Sequence, residues 1–155
     1  MYSNILICDI LEYIDIFLNT KISVNDLEKK FFYNRYYIMK LFKKEIGVTL
    51  FSYINKLRVY NSLTDLNNTD ILLIRVALNN GFYSLEYFSE IFKKEIGISP
   101  QKYRKIINNK YFRDIEFLDV THNIINIKNI IDFCNNYKRK KKRAVLPVRK
   151  ISLFD

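Results

Sequence analysis

The side chains best placed to do chemistry lie on one short helical stretch. Burying Tyr37, Ile38, Leu41 and Phe42 leaves Arg35, Tyr36, Met39, Lys40 and Lys43 on the other face, and no acidic residue occurs from Lys29 to Lys44. Arginine and lysine can donate to the O6 and N7 acceptors of guanine, while a tyrosine ring or a methionine methyl can rest on a thymine methyl or a sugar. The plainer alternative for the same residues is a solvated helix face. A second row follows at an offset of 50 residues: Leu85, Glu86, Ser89, Glu90 and Lys93. Its two carboxylates are unfavourable near phosphates unless one accepts from the N4 amine of cytosine. Base contacts are therefore expected mainly from Arg35, Tyr36, Met39 and Lys40, with Leu85, Glu86, Ser89 and Glu90 as the weaker set. Phosphate contacts fall to Lys43, Lys44, Lys93, Lys94 and Lys102, and to the helix-start amides near Ser84.

Bond-making chemistry finds no comparable cluster. His122 is the single histidine and lies outside the repeated region. Gly47, Gly81 and Gly97 are too scattered to form a phosphate-binding loop, and Cys8 with Cys134 cannot alone make a zinc site. Glu86 and Glu90 sit a helical turn apart on an outward face, the pattern of a polar surface more than of an acid/base pair. The expectation is a protein that is not an enzyme and needs no cofactor or metal.

The elements that must hold these residues are written twice. Phe42-Lys43-Lys44-Glu45-Ile46-Gly47 returns unchanged as Phe92-Lys93-Lys94-Glu95-Ile96-Gly97, and the same 50-residue offset pairs Phe32 with Phe82, Tyr33 with Tyr83, Tyr37 with Tyr87 and Tyr53 with Tyr103. A register kept from residue 24 to 103 marks a duplicated helical unit. Ahead of it, residues 4 to 19 carry apolar positions at helical spacing. Ser23 followed by Asp26 opens a helix over 24–31 as a capping box, and Asn34 caps the next, over 35–46, which Gly47 ends. Thr49 caps a longer helix over 50–66 carrying Phe51, Ile54, Leu57, Leu63 and Leu66. Asn67 to Asp70 break it and cap a helix over 71–78; Ser84 then starts one over 85–96, stopped by Gly97. Ser99-Pro100 begins a closing helix to about Ile107.

Composition sets the outer limits. The chain has 155 residues, 49% of them hydrophobic, with 3 Gly and 2 Pro, which favours packed helices over a many-stranded sheet. No apolar run nears the roughly 18 residues that span a bilayer. Two cysteines make no disulfide framework, so buried thiols in a reducing cytoplasm are expected. Net charge is +10, but Lys138 to Asp155 hold eight basic residues and one acidic, so the tail carries +7 and the rest +3. The tail reads as a solvated end, as a sequence-independent phosphate arm, or as a contact for RNA, an acidic partner or a membrane surface.

Taken together, the chain resembles the AraC-type (AraC/XylS family) transcription regulators. The residues that carry the likeness are Phe42-Lys43-Lys44 with Gly47, Arg58, Val76-Ala77, Gly81-Phe82, Tyr87-Phe88, Phe92-Lys93-Lys94 with Gly97, Ser99-Pro100 and Tyr103-Arg104. It spans roughly residues 4 to 107. Since the chain opens directly on the first helix, it is most similar to the stand-alone, MarA-like members. The resemblance implies an all-α fold with two helix-turn-helix subdomains joined by a long linking helix. It implies recognition helices 35–46 and 85–96 in the major groove, with the positions matching Tyr36, Met39 and Lys40 reaching bases and Arg35 beside them. It further implies a bacterial, cytoplasmic activator that binds double-stranded DNA, touches RNA polymerase, has no membrane partner and is monomeric if the chain is complete.

The expected layout is a DNA-binding domain over 1–107, with helix-turn-helix units at about 23–47 and 71–97, a linking helix at 50–66 and a closing helix at 100–107. A helical extension at 108–137 and a basic, flexible tail at 138–155 follow. The family commonly has small or amide residues near Glu86 and a basic residue at Glu90, so the second unit departs from it. That departure leaves open a second class of function, a protein-interaction adaptor that kept the fold and lost tight DNA reading.

Overall fold

Each copy of the repeated hexamer ends a helix in the same way. Gly47 and Gly97 adopt positive φ, at 88° and 92°, and their amides donate to the Lys43 and Lys93 carbonyls at 2.9 and 2.8 Å. A residue without Cβ takes this left-handed turn at little cost. The 50-residue offset also holds in the packing. Phe42 meets Tyr53 edge-on at 5.4 Å and 68°, and Phe92 meets Tyr103 at 5.5 Å and 70°.

The computed structural model describes residues 2–67 and 70–108. Apart from Asn108, the extension and the tail, with His122 and Cys134, lie outside the described residues. Those residues form α1 (Tyr2–Phe17), α2 (Val24–Phe31), α3 (Arg35–Ile46), α4 (Leu50–Leu66), α5 (Leu73–Asn79), α6 (Leu85–Ile96) and α7 (Pro100–Asn108), with no strand among them. The capping box is formed: Ser23 Oγ accepts from the Asp26 amide, and the Asp26 carboxylate accepts from the Ser23 amide at 3.1 Å. Thr49 and Ser99 cap their helices through the Ser52 and Lys102 amides. The expected cap from Asn67–Asp70 is corrected. α5 starts two residues later than read, with Leu72 at its N-cap and no side-chain cap bond.

Two cores result. The first joins α1, α2, α3 and the start of α4 around Ile7, Ile10, Leu27, Phe42 and Ile54; the second joins the end of α4 with α5 and α6 around Val59, Val76, Phe82, Phe88 and Phe92, and Tyr103 of α7 packs against it. Each fully buried phenylalanine contributes about 1.5–3 kcal/mol. α4 thus serves both halves. Phe51 of α4 is exposed, whereas Tyr53, Arg58, Val59 and Ser62 are buried. Cys8, expected to be buried, is half-exposed.

Arg58 fastens the halves to each other. Its Nε donates to the Leu18 carbonyl at 2.8 Å and its Nη2 to the Thr20 carbonyl at 2.7 Å, while the guanidinium lies 5.9 Å from the Phe82 ring. Those carbonyls follow the end of α1, where a cation is favoured. Gly81, at φ +80°, makes room for this: a Cβ there would fall 2.7 Å from Leu18 O and 2.9 Å from Arg58 Nε. Burial lowers the pKa of Arg58 from its ordinary value, yet arginine starts high enough to stay charged.

Candidate nucleic-acid interface

α3 is held by one face and by both ends. Ile38, Leu41, Phe42 and Ile46 are buried, Asn34 Oδ1 accepts from the Tyr36 amide at 2.8 Å, and Gly47 closes the last turn. The opposite face carries Arg35, Tyr36, Met39, Lys40, Lys43 and Lys44, all exposed, with Tyr36 at 77% and Met39 at 38%. The structure therefore brings together on one surface all the residues expected to form the first row. Tyr37 joins them, against expectation. It is 45% exposed, its ring stacked on Tyr33 at 5.3 Å. Its counterpart Tyr87 is drawn inward because Asn55 of α4 donates to its hydroxyl at 3.0 Å.

Arg35 carries a contact that local sequence does not reveal. Glu28 of α2 accepts from the Arg35 amide at 2.6 Å through one oxygen and lies 3.2 Å from Arg35 Nη2 through the other. Only the fold brings these two residues within reach across the turn.

The second row is less complete. Glu86, Glu90, Lys93 and Lys94 are exposed on α6, as expected. Leu85 and Ser89 are corrected: both are half-buried, and Leu85 packs against the second core. The Ser84 hydroxyl accepts from the Tyr87 amide at 3.1 Å, so it is engaged in capping α6. Lys102 sits exposed near the start of α7. Glu95 is turned inward to a 2.6 Å ion pair with Lys56 of α4, while the equivalent Glu45 reaches only its neighbour Lys44, at 3.9 Å.

The turns differ as well. In the first unit Phe32 takes the left-handed position, at φ 58°, and is 92% exposed; Phe82, its partner in the repeat, is 2% exposed. Gly81 occupies the left-handed position of the second unit, one residue earlier in the shared register. The 50-residue pairing of the sequence stands, but at this turn the paired residues take different backbone conformations. Among the described residues no helix is long and apolar enough to cross a membrane, and no group of three or more His, Cys, Asp or Glu could hold a metal ion.

A family model described as a helix-turn-helix domain matches residues 27–106. The regulatory protein PocR of Salmonella typhimurium is 32% identical over 98 residues, which cover 63% of this chain and 32% of PocR. The HTH-type transcriptional activator AarP of Providencia stuartii is 28% identical over 118 residues, covering 76% of this chain and 86% of AarP. The chain thus spans about a third of the one relative and most of the other. A crystal structure from Chromobacterium violaceum, titled a transcriptional regulator of the AraC-type DNA-binding domain-containing proteins, shares the fold with a TM-score of 0.59 at 20% identity, over 70% of this chain and 96% of that one.

Proposed function

This chain belongs to the AraC-type helix-turn-helix family, and from that premise we propose that it is a sequence-specific, DNA-binding transcription regulator acting as an activator in the cytoplasm. α3 enters the major groove and reads bases through Arg35, Tyr36, Met39 and Lys40. Lys43, Lys44, Lys93, Lys94, Lys102 and the amides at the start of α6 take phosphates. α6 docks along the same duplex and reads less, because Leu85 and Ser89 are partly withdrawn and Glu86 and Glu90 repel the backbone. Both units belong to one chain, so a monomer can span two groove segments without a partner subunit. The activator reading draws on AarP, which bears that description, and implies a surface for RNA polymerase.

The observation that carries this reading is the unbroken exposed row on α3, fixed from behind by Ile38, Leu41 and Phe42. It is tested by titrating salt against duplex DNA binding. A steep fall of affinity with salt, together with a surviving preference for some sequences, supports it. The exposed carboxylates Glu86 and Glu90 favour a second reading, an adaptor that binds protein. That reading expects neither a salt slope nor a preference once residues 138–155 are removed.

A further inference from the structure

We propose that Glu28 is a positioning residue that presents Arg35 to a guanine and thereby sets the preference of the first unit at one base pair. The inference rests on the DNA-binding reading above and goes beyond it by naming a residue outside α3 that governs what α3 reads. Arg35 occupies the first position of α3, where the helix dipole disfavours a cation, and no acidic residue stands in that first turn to compensate. Compensation comes instead from Glu28 on the preceding helix. One carboxylate oxygen takes the Arg35 amide at 2.6 Å and the other faces Arg35 Nη2 at 3.2 Å. A single carboxylate thus fixes both the start of the helix and the direction of its first side chain.

The pair is asymmetrically placed. The Glu28 side chain is 24% exposed and that of Arg35 51%, so the carboxylate is set back and the guanidinium stands forward. Among the described residues no second acceptor meets that guanidinium. Its remaining donors are available for the paired O6 and N7 acceptors of guanine, which arginine meets in a fork. An exposed ion pair adds little to stability, so the main consequence of this one is orientation. The second unit supplies an internal control. At the same 50-residue offset Glu28 and Arg35 become Leu78 and Leu85, and α6 still forms with the same length and the same C-terminal turn. The helix-turn-helix scaffold stands without the pair. Where both members are leucine, the first side chain of the helix folds back onto the core.

The test is selection of binding sites from random duplexes with the full chain, followed by affinity for the consensus and for every single-base-pair change. Arg35→Ala should lose discrimination at one guanine, roughly tenfold or more as for a forked arginine contact. Glu28→Gln keeps an oxygen for the Arg35 amide but loses the charge. It should relax the same position roughly threefold or more, at the lower end of coupling between touching residues, and add nothing in an Arg35→Ala background. Discrimination at that guanine left intact in Glu28→Gln, with affinity lowered alike for all sequences or only thermal stability reduced, would overturn the positioning role while leaving the DNA reading in place. A wild-type chain that selects no sequence overturns the function proposed above and this inference with it.

Discussion

At the scale of single residues, the α3 surface divides into groups left free to reach a partner and groups that shape the helix. Lys40 stands in the middle of the exposed row with no ion-pair partner among the described residues, so it can be removed without disturbing a fold contact. Lys40→Ala should weaken binding to a selected site by about 1–3 kcal/mol while leaving the melting temperature unchanged; fluorescence anisotropy alongside thermal unfolding checks both. Phe32 presents the opposite case. It holds a left-handed backbone at φ 58° with 92% of its surface exposed, so its ring returns little burial for the strain. Phe32→Gly should stabilise the folded chain by up to about 1 kcal/mol, read from urea unfolding.

At the scale of elements, caps and turns set where each helix begins and what it leans on. The Asp26 carboxyl lies below its ordinary value of 3.8 because it accepts hydrogen bonds from the Ser23 side chain and backbone. A carboxylate depressed by folding contributes stability above its unfolded pKa and loses it as pH falls through the folded one. Losing the Ser23 hydroxyl that caps α2 should cost about 1 kcal/mol near neutrality in Ser23→Ala, and the deficit should shrink on acidification below pH 3.8; denaturant midpoints across a pH series report this. Glycines at two turns separate backbone strain from crowding. A Cβ at Gly47 meets nothing within 4 Å, whereas at Gly81 it meets Leu18 O and the Arg58 side chain. Gly47→Ala should cost about 1–2 kcal/mol for the left-handed turn alone. Gly81→Ala should add about 1–3 kcal/mol of overpacking to that, and equal losses in the two variants would contradict the crowding account.

At the scale of the whole molecule, the spacing of the two units depends on α4 and on the Arg58 clamp. Arg58 joins the end of α1 to the turn before α6, and Lys56 with Asn55 ties α4 to α6 itself. The linking helix is therefore braced rather than a free tether. Two half-elements about one turn of DNA apart are the expected outcome of site selection. Arg58→Met should lower stability by leaving the Leu18 and Thr20 carbonyls without their donor. It should also blur the spacing between half-elements, seen as tolerance of one inserted base pair. Glu90→Arg should tighten non-specific binding and steepen the salt slope by about one. An unchanged slope would mean that α6 does not approach the backbone.

Much of this architecture was legible in the chain because it is written locally. Caps at Ser23, Asn34, Thr49, Ser84 and Ser99, stops at Gly47 and Gly97, and apolar spacing within each helix involve residues a few positions apart, so the repeated text was enough to set the helices and the exposed row on α3. What the tertiary structure alone decided lies across helices. Arg58 reaches carbonyls some 40 residues away, Glu28 meets Arg35 over a turn, Tyr37 stays outside while Tyr87 is drawn in by Asn55, and Leu85 leans on the core instead of facing outward. Identical letters in the two units met different neighbours, because α4 covers one helix-turn-helix more closely than the other. Local chemistry set the parts, and the way the helices cross set which of their side chains remain free to bind.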